Sequence, residues 1–96
     1  MSEIDSKFYD RVDEQINLSN TQLTTGIESA YVNNSNLYAT ARFNAWTVAR
    51  NWNSGEAMEK GKQHTIEYFV RQYQKLLEEN LNDYIQNFDE YMKPKS

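Results

Sequence analysis

The stretch Ala30–Trp52 reads AYVNNSNLYATARFNAWTVARNW, and its periodicity decides the fold. It holds both tryptophans of the chain, and no acid lies between Glu28 and Glu56 although the protein carries a net charge of -4. Projected at ~100° per residue, it sorts into strips as an α-helix does. The main strip holds Ile27, Ala30, Tyr31, Leu37, Tyr38, Ala41, Ala45, Val48, Ala49 and Trp52, and a second apolar strip holds Val32, Ala39, Phe43 and Trp46. A third strip, Asn33, Asn36, Thr40, Asn44, Thr47 and Asn51, is polar throughout and charged nowhere. Two apolar strips fit a central helix between two neighbours, and alanines four apart at 41, 45 and 49 let one of them approach closely. This predicts a helix over about 29–52 with Phe43 and Trp46 in the core.

On the N-terminal side, Ile4, Phe8, Val12, Ile16, Ser19 and Leu23 recur in steps of four and three. They predict a helix over about 5–24, with Asp5 as N-cap and Gly26 just past its end. On the C-terminal side, Asn51–Gly55 (NWNSG) is the clearest break, and Ser54 is placed to cap the third helix, with Glu56 set favourably against the helix dipole. From about Glu56 to Met92 one continuous face runs through Ile66, Phe69, Val70, Tyr73, Leu76, Leu77, Leu81, Tyr84, Ile85, Phe88, Tyr91 and Met92. Gly61 is a soft spot near its start. Glu67–Arg71 and Lys75–Glu79 are i,i+4 pairs of opposite sign on the other face. Pro94 ends the pattern, and residues 93–96 are expected to fray.

The expected architecture is all-α, a single domain over 1–96 folded as an antiparallel three-helix bundle with a long third helix. The lengths do not match. The first helix would span roughly 30 Å and an unbroken third one roughly 55 Å. Past Asn80 the third helix would leave Leu81, Tyr84, Ile85, Phe88, Tyr91 and Met92 uncovered. Either the chain bends near Asn80 into a fourth segment and folds back, or the overhang packs on another copy. The absence of proline and glycine between 79 and 83 favours continuity, while Asn80 and Asn82 weaken that argument.

Composition narrows the function classes. One modest core is possible in 96 residues, and 14% aromatic content argues against disorder. A pI near 4.9 with no basic run disfavours nucleic acid as a partner. No window approaches the ~20 apolar residues of a membrane span, and MSEIDSKFYD has no apolar core of a targeting signal. Without cysteine there are no disulfides, thiolate metal sites or cysteine nucleophiles. A cytoplasmic protein is the simplest reading.

Three segments, FYDRVDEQINLSN near the start, LYATARFNAW in the middle and IEYFVRQYQKLLEENLNDYIQNFDEY at the end, resemble a small bacterial family, a domain of unknown function numbered 3144. The resemblance covers nearly the whole chain in the same order. Its most specific pieces are Arg42–Ala45, Glu67–Val70 and Glu78–Leu81. It implies a short all-helical bacterial protein and no activity.

Candidate chemistry is sparse. His64 is the only histidine; it stands three residues from Glu67 but on the charged face, without the further ligands a metal site needs. No nucleophile elbow or glycine-rich phosphate loop is present, and no metal or other cofactor is expected. Arg42, between the apolar strips, calls for a carboxylate from Asp10, Asp13, Glu14, Glu67, Glu78 or Glu79; an anion clamp is the functional alternative. The Asn/Thr strip is expected to face solvent, with a subunit contact as second choice. The leading expectation is a non-catalytic module that self-associates or binds a helical partner through Leu81, Tyr84, Ile85, Phe88, Tyr91 and Met92. The alternative is a small-ligand regulator using Arg42, Asn44 and Trp46 in a pocket between the first two helices; an enzyme is third.

Overall fold

Apolar periods of three and four residues, with few breakers, build helices and nothing else. The computed structural model describes residues 4–94, and among these there is no strand. Helix α1 spans Phe8–Thr24, α2 Ser29–Ala49, α3 Gly55–Lys60, α4 Lys62–Gln86 and α5 Phe88–Met92. The all-α class and three long helices expected from the sequence are present. The chain divides into two compact units, Met1–Asn51 and Trp52–Ser96.

The first unit is a helical hairpin. Helix α1 starts later than expected, with Lys7 rather than Asp5 at the N-cap position. Asp5 still serves that end: its carboxylate accepts from the Lys7 amide at 2.8 Å and pairs with the Arg11 guanidinium at 2.7 Å. The guanidinium and the amide donor hold the Asp5 carboxyl below the usual carboxylate range. At the other end, the Gly26 amide donates to the Leu23 carbonyl, and a φ of 92° marks the left-handed turn that glycine takes without strain. Helix α2 then packs back on α1.

Both apolar strips of α2 were expected to be core, and among the described residues each is covered only in part. Val32, from the second apolar strip, is the buried hydrophobic residue, 5% exposed, while Tyr31, Leu37 and Tyr38 of the main strip stand exposed. One turn from Val32, Asn36 donates to the Ser19 hydroxyl at 2.7 Å, and Ser19 donates to the Gln15 carbonyl at 3.2 Å. Asn36 of the polar strip thus bonds to α1 while staying exposed, as Asn33, Thr40 and Asn51 do, and Asn44 and Thr47 of the same strip are half-buried. A neutral amide suits this place because it exchanges hydrogen bonds without desolvating a charge. Burying Val32 contributes roughly 1.5–2 kcal/mol. Helix α2 ends at Ala49, short of the expected Trp52, with Thr47 donating to the Asn44 carbonyl and Asn51 to the Thr47 carbonyl near its end.

In the second unit the Ser54 hydroxyl accepts from the Ala57 amide at 3.1 Å, as an N-cap does, and starts α3. The expected single helix from Glu56 to Met92 is instead three segments, interrupted at Gly61 and Asn87. There is no bend near Asn80. Helix α4 runs through it, and the Asn80 amide donates to the Leu76 carbonyl at 2.8 Å, which turns a poor helix former back onto its own helix. At Gly61 the indole of Trp52 lies so close that a Cβ would meet its Cζ2 at 2.9 Å. The soft spot is thus a required clearance. The expected pairs Glu67–Arg71 and Lys75–Glu79 do not form; Glu67 accepts from Gln63 at 3.2 Å, and the ion pairs among the described residues are Arg11–Asp5 and Lys93–Asp89. Part of the tail expected to fray, residues 95–96, lies outside the described residues.

Candidate interaction surface

At the C-terminal end of α4, the helical period sets Leu77, Leu81, Tyr84 and Ile85 on one broad arc, and the chain then turns at Asn87 into α5. Side chains hold this corner. Asn87 donates from Nδ2 to the Asp83 carboxylate at 2.9 Å and to the Asp83 carbonyl at 3.1 Å. The Tyr91 hydroxyl donates to the same carboxylate at 3.2 Å, and its ring stands 4.8 Å from that of Tyr84. The negative charge of Asp83 raises the Tyr91 phenol above its ordinary range, helped by lost solvation. A shallow open depression runs along the corner from Ile85 to Glu90.

All six residues singled out from the sequence, Leu81, Tyr84, Ile85, Phe88, Tyr91 and Met92, are exposed, Ile85 to 71%. The Asp83–Asn87–Tyr91 line was missed, because each of its members reads as an isolated polar or aromatic residue. The spacing of four residues along one helical face was the available signal.

The second candidate group does not converge. Arg42 and Trp46 are four residues apart and share one side of α2, whereas Asn44, two residues from each, projects away from them. Trp46 and Phe43 are 56% and 62% exposed, so the core position expected for them is not what they occupy. Their rings stack at 5.9 Å, and the Arg50 guanidinium lies 4.9 Å over the Trp46 ring, a cation–π contact. Arg42 is exposed and makes no ion pair with Asp10, Asp13 or Glu14 of its own unit, which removes those acids as its structural partners. Arg42 needs none, because water solvates an exposed guanidinium. His64 is exposed, and among the described residues no three potential ligands gather into a metal site. No helix is long and apolar enough to cross a membrane among the described residues.

The comparisons with known proteins fit this all-helical chain. It is similar to a protein from Shewanella sp. whose structure was solved by NMR, with 35% sequence identity and a TM-score of 0.77, over 99% of this chain and 100% of that one. No curated protein matches it. The family model described as "Protein of unknown function (DUF3144)" matches residues 8–85, and the chain belongs to that family.

Proposed function

We propose that this protein is a non-catalytic interaction module of the bacterial cytoplasm that self-associates through the C-terminal part of α4 together with α5. The observation that carries this reading is the exposed face of Leu81, Tyr84, Ile85, Phe88, Tyr91 and Met92 on a preformed helical corner. Aromatic residues and methionine in such a patch are the residue types that carry binding energy at interfaces. A contiguous apolar patch of this kind marks a contact surface more often than bare solvent-facing helix. The Asp83–Asn87–Tyr91 bonds favour the same reading, since a corner fixed before binding loses less entropy on association.

Sedimentation equilibrium from low micromolar to millimolar protein tests it. Wild type is expected to move from monomer to dimer mass, and Ile85→Asp with Phe88→Asp to remain monomeric. A strict monomer whose Tyr84 and Phe88 are protected from solvent within one chain would sink the reading.

A further inference from the structure

Two stretches of the chain carry unmixed charge of opposite sign. From Ser29 to Gly55 the charged residues are Arg42 and Arg50, without an acid; from Leu76 to Met92 they are Glu78, Glu79, Asp83, Asp89 and Glu90, without a base. Each stretch also exposes apolar rings on the same surface as its charges. Arg42 and Arg50 lie one helical turn to either side of Trp46, with Phe43 stacked against that indole. On α4, the exposed Tyr84 and Ile85 lie between Glu78 on one flank and Asp83 on the other, and past the Asn87 corner α5 adds the exposed Phe88, Glu90 and Asp89, the last paired with Lys93.

If two copies met by laying α4–α5 against α4–α5, the acids of one would face the acids of the other, and like charges across an interface are costly. The α2 surface has the opposite charge and matching aromatic area. We infer that the Arg42–Trp46–Arg50 surface of α2 receives the acidic α4–α5 segment of a second copy. This rests on the self-association reading above and supplies the surface that the C-terminal patch meets. The stacked Phe43 and the Arg50 guanidinium hold the Trp46 ring in place, so the surface is already arranged when the partner arrives.

A charge exchange tests it. One variant carries Arg42→Glu and Arg50→Glu, the other Glu78→Lys and Glu90→Lys; all four positions are exposed, and Asp83 is left in place because it holds the α4–α5 corner. Each variant alone is expected to dimerise about tenfold more weakly than wild type, or worse. An equal mixture is expected to recover association, because each contact in the mixed dimer again pairs opposite charges. Wild-type association is expected to weaken as salt rises, a measurement that needs no variant.

Wild-type affinity in the Arg42→Glu, Arg50→Glu chain would remove α2 from the contact while leaving self-association through α4–α5 standing. A mixture that stays monomeric while both variants keep wild-type helicity by circular dichroism would overturn the inference, as would salt-independent dimerisation of wild type. A wild type that never dimerises would remove this inference and the self-association reading together.

Discussion

Asn36 reaches back 17 residues to Ser19 across the α1–α2 hairpin, and Val32, one turn away, is buried. From Trp52 onward the contacts that shape the chain are short in sequence: Trp52 over Gly61, and Tyr91 back to Asp83 eight residues earlier. The first unit therefore closes a small tertiary contact of its own. The second is one long helix with a local corner at each end, and no side chain of α4 is fully buried. A helix of this length draws most of its stability from packing an amphipathic face, not from propensity. The difference teaches where the unmet demand for burial lies. It is continuous along α4, where every residue from Arg71 to Gln86 is exposed, and it is also present on α2 at Phe43 and Trp46, the two faces proposed above to cover each other between copies.

The sharpest way to break the comparison is to place a charge in each unit. Val32→Asp buries an unpaired carboxylate and is expected to cost about 3 kcal/mol or more. Leu81→Asp, on the exposed face, is expected to stay within about 0.5 kcal/mol in protein dilute enough to be monomeric. Urea melts followed by circular dichroism measure both. Equal costs would show that the α4 face is already covered in the monomer.

A smaller effect separates two glycines. Gly26→Ala forces a side chain into positive φ with open space around it, at about 1–2 kcal/mol. Gly61→Ala has an ordinary φ of -99° and instead drives a methyl group against Trp52, an overpacking cost of about 1 kcal/mol. In a Trp52→Ala background the Gly61→Ala cost is expected to vanish while the Gly26→Ala cost remains. A double-mutant cycle on thermal melts reads this directly.

The smallest effects are with pH, and they act at opposite ends of the scale. The Asp5 pKa is lowered by Arg11 and by the Lys7 amide, so its contribution is present above the unfolded value near pH ~4 and is lost as pH falls through the folded value. The Tyr91 pKa is raised by Asp83, so its contribution is present below the unfolded value near pH ~10 and is lost as pH rises through the folded value. Acid should loosen the start of α1 in the first unit, and alkali should loosen α5 in the second. Amide NMR shifts of residues 8–11 and 88–92 across a pH series report each end, and Asp5→Asn and Tyr91→Phe should flatten the respective profiles.

Much of the helical framework was legible from spacing and cap chemistry. Gly26 ends α1 and Ser54 starts α3 as read, because a left-handed turn and an orphaned helix amide are local demands that particular residues meet. The continuity of α4 through Asn80 was the favoured alternative, since no proline or glycine forces a break there. The interruption at Asn87 was not legible. An asparagine at that position reads like Asn80, and only the Asp83 carboxylate and Tyr91 hydroxyl beside it distinguish the two. The candidate patch was legible residue by residue as an apolar helical face, but the corner that presents it was not.

The sequence by itself determined that the chain is helical, where Gly26 and Ser54 punctuate it, and that Leu76–Met92 carries acids without a base beside its apolar residues. These follow from period, cap and charge, which a residue and its near neighbours settle alone. Which strip of α2 turns inward was decided only by tertiary structure. Periodicity offered two apolar strips and one polar strip, and both apolar strips were expected to be core. Instead Val32 and Asn36 face α1, where Ser19 gives Asn36 a hydrogen-bond partner, and Phe43 and Trp46 are left outside. The physical reason is that helical period ranks faces by hydrophobicity, whereas burial depends on the surface that arrives opposite. Here α1 arrived with a serine that could pair an amide.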